Sequence, residues 1–276
     1  MTVLAISPHL DDAAFSAGGT LAALSASGAA VTVATVFTAT VPSPTGFALA
    51  CQTDKGIAPE ADYMALRREE DAAACEALGA EAVWLGLPEA PHRGYHTAGA
   101  LFSDIHTGDE RTWRDVLVAL RALVEARRPD VVLSCQGLGG HVDHRHVVRA
   151  VAALADATGC PVAWWRDTPY AMRQPDAAPA GDLPAGLLPL AILLVEAHLA
   201  AKLDACAAYA TQLPYQFARD ADGDPADLVR QRMAAFAREE GRRNQLAAAE
   251  TFAADPDACQ RVRALLSQDA PGRPVG

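Results

Sequence analysis

Short apolar runs alternate with helix-like segments over most of the chain, and this rhythm limits the folds open to it. Thr2 to Ser7, Val31 to Phe37, Val83 to Leu85 and Val131 to Cys135 are brief and apolar, as strands buried on both faces are. Between them, Ser16 to Ser27 is rich in Ala and Leu and stops at Gly28, and Tyr63 to Leu78 is closed by Gly79. Thr112 stands as an N-cap with Asp115 three residues on, and Trp113, Val116, Leu117, Leu120, Leu123 and Val124 follow at helical spacing. Val142 to Ala157 is predicted helical, and Val162 to Trp165 and Ala191 to Val195 are predicted as further strands. Pro42 to Pro59 and Pro88 to Gly108 read as long loops. The pattern predicts an α/β fold: a Rossmann-like, mostly parallel sheet with helices on both faces. Residues 1–276 are read as one domain whose part beyond about residue 198 is mainly helical.

In such sheets ligands sit beyond the carboxyl ends of the strands, where strand order reverses, and the first and fourth strands flank that point in the common order. A charged motif follows each of these two strands. Pro8-His9-Leu10-Asp11-Asp12 follows the first, and His141-Val142-Asp143-His144 follows the fourth, after an approach through Gly137, Gly139 and Gly140. The topology predicts that they meet in space. Together they hold two histidines and a carboxylate for a divalent metal, with a carboxylate and a histidine to spare, which suits metal-assisted hydrolysis. The competing reading makes Asp11 or Asp12 a helix cap and the histidines surface groups at a helix N-terminus. A helix dipole disfavours protonated histidine there, and neutral imidazole is the form a metal needs. His146 is expected to be structural or on the surface. Gly18-Gly19-Thr20 lacks the spacing of a phosphate or dinucleotide loop, and close packing of the helix explains it better.

Composition narrows the partners. The formal net charge is -11, from 34 acids against 23 Lys and Arg, which argues against nucleic acid and anionic membranes. Val3 to Ser7 is too short for a signal peptide, and Leu187 to Val195 is too short to span a bilayer. The six cysteines are scattered, as expected of reduced thiols in a cytoplasmic protein. The sequence leaves the oligomeric state open.

The two motifs resemble the signatures of the PIG-L, or LmbE-like, family of deacetylases, a proline-histidine-proline-aspartate-aspartate-glutamate run and H-x-D-H. Here they read PHLDDA and HVDH. The segments RREEDAAACEALGA, AVWLGLPEAPHRGY and KLDACAAYATQLPYQF extend the likeness to roughly residues 1–217. The resemblance implies zinc-dependent removal of an acetyl group from an N-acetylglucosaminyl-type amino sugar, in secondary-metabolite or low-molecular-weight thiol biosynthesis. It implies that His9, Asp12 and His144 hold Zn2+, that Asp11 is the general base, that His141 polarises the carbonyl and that Asp143 orients a histidine. Imidazole and carboxylate also accept other divalent metals such as Fe2+. Leu10 stands where the family has proline and Ala13 where it has glutamate. The alternatives are an amidase of larger conjugates and a non-catalytic, sugar-binding Rossmann-like module.

Arg67 and Glu70 match the family's R-x-x-E positions and share a helix face, so they either pair with each other or contact substrate. Arg68 and Glu69 are expected to face solvent. His92, Arg93, Tyr95, His96 and His106 lie on a long loop and are either substrate contacts or ordinary loop residues. Trp164 and Trp165 are expected in the core or at its rim rather than as a sugar platform.

Overall fold

A computed structural model describes residues 1–217 and 222–267. Seven strands form one sheet: β1 (Thr2–Ser7), β2 (Ala30–Phe37), β3 (Glu81–Leu87), β4 (Val131–Cys135), β5 (Val162–Trp165), β6 (Leu188–Leu193) and β7 (Ala249–Ala254). Their order is β3-β2-β1-β4-β5-β7-β6. The first five in the chain run parallel to one another, and β7 runs antiparallel between β5 and β6. The helices are α1 (Asp12–Ala26), α2 (Gly46–Thr53), α3 (Tyr63–Ala77), α4 (Thr112–Arg127), α5 (Val142–Thr158), α6 (Tyr170–Arg173), α7 (Glu196–Ala207), α8 (Leu213–Phe217), α9 (Pro225–Arg243) and α10 (Pro256–Leu266). This is the α/β arrangement that the alternating pattern predicts. The chain runs from β1 outward to β2 and β3, then returns to β4 on the other side of β1, so the reversal falls between β1 and β4. Among the described residues no helix is long and apolar enough to cross a membrane.

The core explains the apolar runs. β1 and β4 are covered on both faces, and Val3 to Ile6 and Val131 to Leu133 have no exposed surface. Trp164 and Trp165 on β5 are also fully buried, which puts both in the core. α1 is buried over nearly its whole length because α7 covers it from outside. Gly18 permits that fit, since a Cβ there would lie 3.2 Å from Lys202 on α7, and Gly19 makes room for Leu194, just after β6.

Several local expectations need correction. α1 starts at Asp12, a turn earlier than Ser16. The stretch from Pro42 to Pro59 contains α2. Thr112 is the first residue of α4 rather than its cap, and its hydroxyl donates instead to Asp109 (2.5 Å). Arg68 is half-buried and donates to the Thr38 carbonyl (2.8 Å) rather than facing solvent. The mainly helical segment after residue 198 also supplies an unanticipated strand inside the sheet, β7. Its sequence, AETFAA, has little strand propensity and carries a charge. Glu250 is nonetheless buried because Lys202 meets it at 2.5 Å and the Gly19 and Thr20 N–H groups donate to it.

Candidate active site

The turn after β1 is held by Ser7, whose Oγ donates to the His9 carbonyl (2.7 Å) and accepts from the Ala13 N–H (3.1 Å). Asp11 occupies the N-cap position of α1 but makes no side-chain capping bond, and Asp12 is the first helical residue. The Asp12 Oδ2 accepts the N–H of His9 (2.9 Å). Across the sheet, His141 is the N-cap of α5 and His144 follows one turn on. The approach through Gly139 is forced: its φ is +81°, and a Cβ there would lie 2.5 Å from the Tyr170 ring.

The two motifs converge as the topology predicts. Asp12 Oδ2 lies 3.2 Å from His9 Nδ1 and 3.2 Å from His144 Nε2. Each ring is held from behind by a second carboxylate. His9 Nε2 meets Asp143 Oδ2 at 3.0 Å, and His144 Nδ1 meets Asp167 Oδ1 at 2.8 Å. His144 Nε2 is buried and makes no hydrogen bond. Such an orphaned nitrogen needs a partner, and a divalent metal shared with His9 Nδ1 and Asp12 supplies one. The residues therefore fit a metal. Two other clusters fit less well. In one, Asp143 is already engaged by Arg93 (2.6 Å) and the Ala90 N–H (3.1 Å). In the other, His144 Nδ1 and Asp167 Oδ1 are already bonded to each other (2.8 Å).

Asp11 stands beside this set. Burial, then the neighbouring Asp12 charge, push its pKa up to about 6, against the pull of Arg67 and His9. Gln216 Nε2 donates to its Oδ2 (3.1 Å), and Arg67 lies 3.8 Å from its Oδ1. Burial, with charge on the other two histidines, pulls the His141 pKa down to about 3, so this ring is neutral. Its Nδ1 accepts the Asp143 N–H (3.2 Å), which leaves its own proton on Nε2. A cavity of about 240 Å³ opens over these groups, bounded also by Phe102, Tyr170 and Tyr215.

Other residues fall into place differently from expectation. Arg67 lines the cavity but is bound to Glu89 (2.6 Å), not to Glu70. Glu70 accepts from the Thr211 N–H (2.6 Å) and hydroxyl (2.7 Å) and lies outside the cavity, so neither expected role is seen. Arg93 bridges Asp109 and Asp143, and buried Tyr95 donates to Asp109 (2.9 Å). Neither is among the residues that line the cavity. His146 is structural, with Nε2 on Asp109 (2.9 Å). His106 meets the Arg93 carbonyl (2.8 Å), His96 is exposed, and His92 lines a neighbouring cavity. Asp167, Glu89, Asp109 and Gln216 escaped sequence reasoning. Each lies well away in sequence from the group it serves, and only Glu89 and Gln216 fall in family-like segments.

A family model described as PIG-L, GlcNAc-PI de-N-acetylase, matches residues 4–155, more than half of the chain. The chain belongs to the PIG-L family. The match takes in both metal-site motifs. Among relatives, a 2'-N-acetylparomamine deacetylase from Streptomyces fradiae is 36% identical over 169 residues, covering 61% of this chain and 57% of that protein. The chain is also similar to the crystal structure of the A40926 pseudoaglycone deacetylase, with 30% identity and a TM-score of 0.76 over 92% of this chain and 96% of that one. A zinc-inhibited form of teicoplanin deacetylase has 26% identity and a TM-score of 0.77, covering 92% and 97%.

Proposed function

We propose that this chain is a metal-dependent hydrolase that removes an acetyl group from the amine of an acetylated amino sugar in antibiotic biosynthesis. The observation that carries this reading is the convergence of His9 Nδ1, Asp12 and His144 Nε2 beside a carboxylate, Asp11, left free to move a proton. The deacetylase relatives support the same reaction. In this reading residues 1–276 act as one catalytic domain, since Gln216, late in the chain, holds Asp11 near its start. A cytoplasmic setting suits the six unpaired cysteines.

His9, Asp12 and His144 would hold the metal, which we take to be zinc. When bound, it polarises the acetamide carbonyl and makes water acidic enough to ionise near neutral pH. Asp11 accepts the proton of the attacking water. Gln216 and Arg67 keep its oxygens turned toward the cavity. His141 donates its Nε2 proton as a hydrogen bond to the oxygen that becomes negative when water adds to the carbonyl. The carbon–nitrogen bond then breaks, and Asp11 returns its proton to the departing amine, so acetate and a free amine leave. Asp143 and Asp167 hold the rings of His9 and His144 throughout. Phe102 and Tyr170 narrow access of bulk water to the site.

The test is acetate release from acetylated amino sugars by the purified, metal-loaded chain and by the Asp11→Asn variant. Turnover by the parent and loss in the variant are expected. Sugar binding without turnover in the metal-loaded chain would overturn the reading in favour of a binding module.

A further inference from the structure

Asp11 carries the proton in the proposed reaction, so the groups that fix its two oxygens bear on the rate. Oδ1 faces Arg67 on α3 (3.8 Å), and Oδ2 accepts from Gln216 Nε2 on α8 (3.1 Å). α8 does not hold that donor in place unaided. It has five residues, fewer than a helix needs to be stable alone. Its apolar side rests on Phe15 of α1, whose ring packs edge-to-face with Tyr209 and Phe217, centroids 5.6 and 5.4 Å away. Apolar packing brings the segment to the site but has no direction. Direction comes from hydrogen bonds.

α3 supplies most of them. Tyr63, Arg67, Glu70 and Asp71 fall at i, i+4, i+7 and i+8 and share one helix face. Asp71 accepts the Tyr209 hydroxyl (2.8 Å), and the Tyr63 hydroxyl accepts Gln212 Nε2 (2.9 Å). Glu70 makes the shortest contacts of the set. One of its oxygens accepts the Thr211 N–H (2.6 Å) and the other the Thr211 hydroxyl (2.7 Å). A carboxylate that takes both groups of one residue fixes its backbone and its side chain together. Thr211 stands in the turn that leads into α8. From there bonds run on to the site. The Thr211 hydroxyl accepts Gln212 Nε2 (2.7 Å), the Gln212 carbonyl accepts the Gln216 N–H (3.0 Å), and Gln216 reaches Asp11. Exposed Arg173 adds a single bond to the Gln216 carbonyl (3.0 Å).

We propose that Glu70 is a positioning residue for the reaction: its grip on Thr211 sets the pose of α8 that puts Gln216 Nε2 on Asp11. The inference rests on the deacetylase reading for what Asp11 does. The face of α3 then governs both oxygens of the base, one through Arg67 and the other through Glu70. Glu70 thereby acts on the chemistry although it lies outside the cavity.

The test combines kinetics with crystallography on metal-loaded protein. Acetate release from N,N'-diacetylchitobiose is followed in the parent and in Gln216→Ala, Glu70→Ala, Glu70→Gln, Thr211→Val and Glu70→Ala/Gln216→Ala. Gln216→Ala and Glu70→Ala should each lower kcat about ten- to a hundredfold and leave KM within about twofold, because a base misplaced by about an ångström loses rate rather than binding. The double variant should fall within about twofold of Gln216→Ala, since both changes remove the same contact. Glutamine can still accept the Thr211 N–H and donate to its hydroxyl, so Glu70→Gln should recover most of the rate. Thr211→Val keeps the N–H and loses only the hydroxyl. It should give a smaller loss of the same kind, and it decides the matter if Glu70→Ala does not fold, because an unchanged rate there would overturn the proposal. In crystals, Gln216 Nε2 should lie beyond hydrogen-bond reach of Asp11 Oδ2 in Glu70→Ala and within it in Glu70→Gln. Losses that multiply in the double variant, or a Glu70→Ala structure with Gln216 still on Asp11, would also overturn it and leave Glu70 a stabilising contact alone. If the parent hydrolyses no acetylated amino sugar, the crystal distances decide by themselves: a displaced Gln216 keeps the placement of Asp11 by Glu70, and only the deacetylase reading fails.

Discussion

His144 donates from Nδ1 to Asp167 across 2.8 Å, and this bond aims its other nitrogen, Nε2, at Asp12. The ring therefore has one orientation and one free donor atom. Supporting carboxylates of this kind set ligand geometry, and their loss typically costs ten- to a hundredfold in metal affinity. Asp167→Ala is expected to weaken zinc binding by about that factor while the protein remains folded. Competition with a chromophoric chelator measures it, and an unchanged dissociation constant would show that Asp167 does not position the ligand.

Metal binding should release protons. Burial pulls the His9 pKa down, but hydrogen bonds and charge from Asp12 and Asp143 outweigh it and raise it to about 9. His144 is likewise raised, by Asp12 and Asp167 against burial. Both rings are thus protonated at neutral pH without metal, and a metal takes only the neutral ring. About two protons should leave per metal bound at pH 7, and affinity should rise as pH increases toward about 9. Calorimetry in buffers of different ionisation enthalpy reads the proton count. A pH-independent affinity would contradict the assignment of these two histidines as ligands.

As the proposed base, Asp11 would work only when ionised. Its pKa is raised to about 6 by burial first and Asp12 second, and a bound cation nearby would lower it. The acid limb of kcat/KM is therefore expected at or below about pH 6, with activity lost as pH falls through it. Asp11→Asn should reduce kcat by roughly 10²- to 10⁴-fold and leave the metal content near that of the parent. Retention of the full rate would remove Asp11 from the mechanism.

The meeting of the two motifs was legible because each follows a strand that the topology brings beside the other. Sheet rules bring the two motifs together beyond β1 and β4, while the choice of Asp12 over Asp11 beside His9 and His144 came from the family resemblance. Of what holds them, the resemblance anticipated only Asp143, which meets His9. Asp167 reaches His144 from beyond β5, and Arg93 reaches Asp143 from the loop after β3, by packing that no local pattern encodes. Arg93 and Tyr95 read as loop polar groups free to meet substrate, yet both serve Asp109. β7 was hidden for a similar reason: an alanine-rich segment with a glutamate becomes a central strand only because Lys202 neutralises Glu250.

The Asp109 cluster gives a stability prediction. Asp109 is buried, and although burial alone would raise its pKa, hydrogen bonds from His146, Arg93 and Thr112 hold it well below the ordinary carboxylate range. Asp143 is depressed as well, against its burial, chiefly by Arg93. Carboxyls depressed in the folded state stabilise it above their unfolded pKa of about 4, and this contribution is lost as pH falls below that value. Asp109→Ala leaves Arg93 short of a partner in a buried network, and should cost about 3–5 kcal/mol in urea unfolding at pH 7. A loss under 1 kcal/mol would mean that the network adds little to the fold.

The central claim is that amide cleavage depends on a metal held by His9, Asp12 and His144. Its most direct test is acetate release from an acetylated amino sugar by chain loaded with metal, stripped with chelator and then reconstituted, with metal content measured at each step. The account predicts about one metal per chain, activity lost on stripping, activity restored on reconstitution, and neither binding nor restoration in His144→Ala. Zinc is best titrated rather than added in excess, since a similar enzyme is known in a zinc-inhibited form. Full acetate release from the metal-free chain would contradict the account.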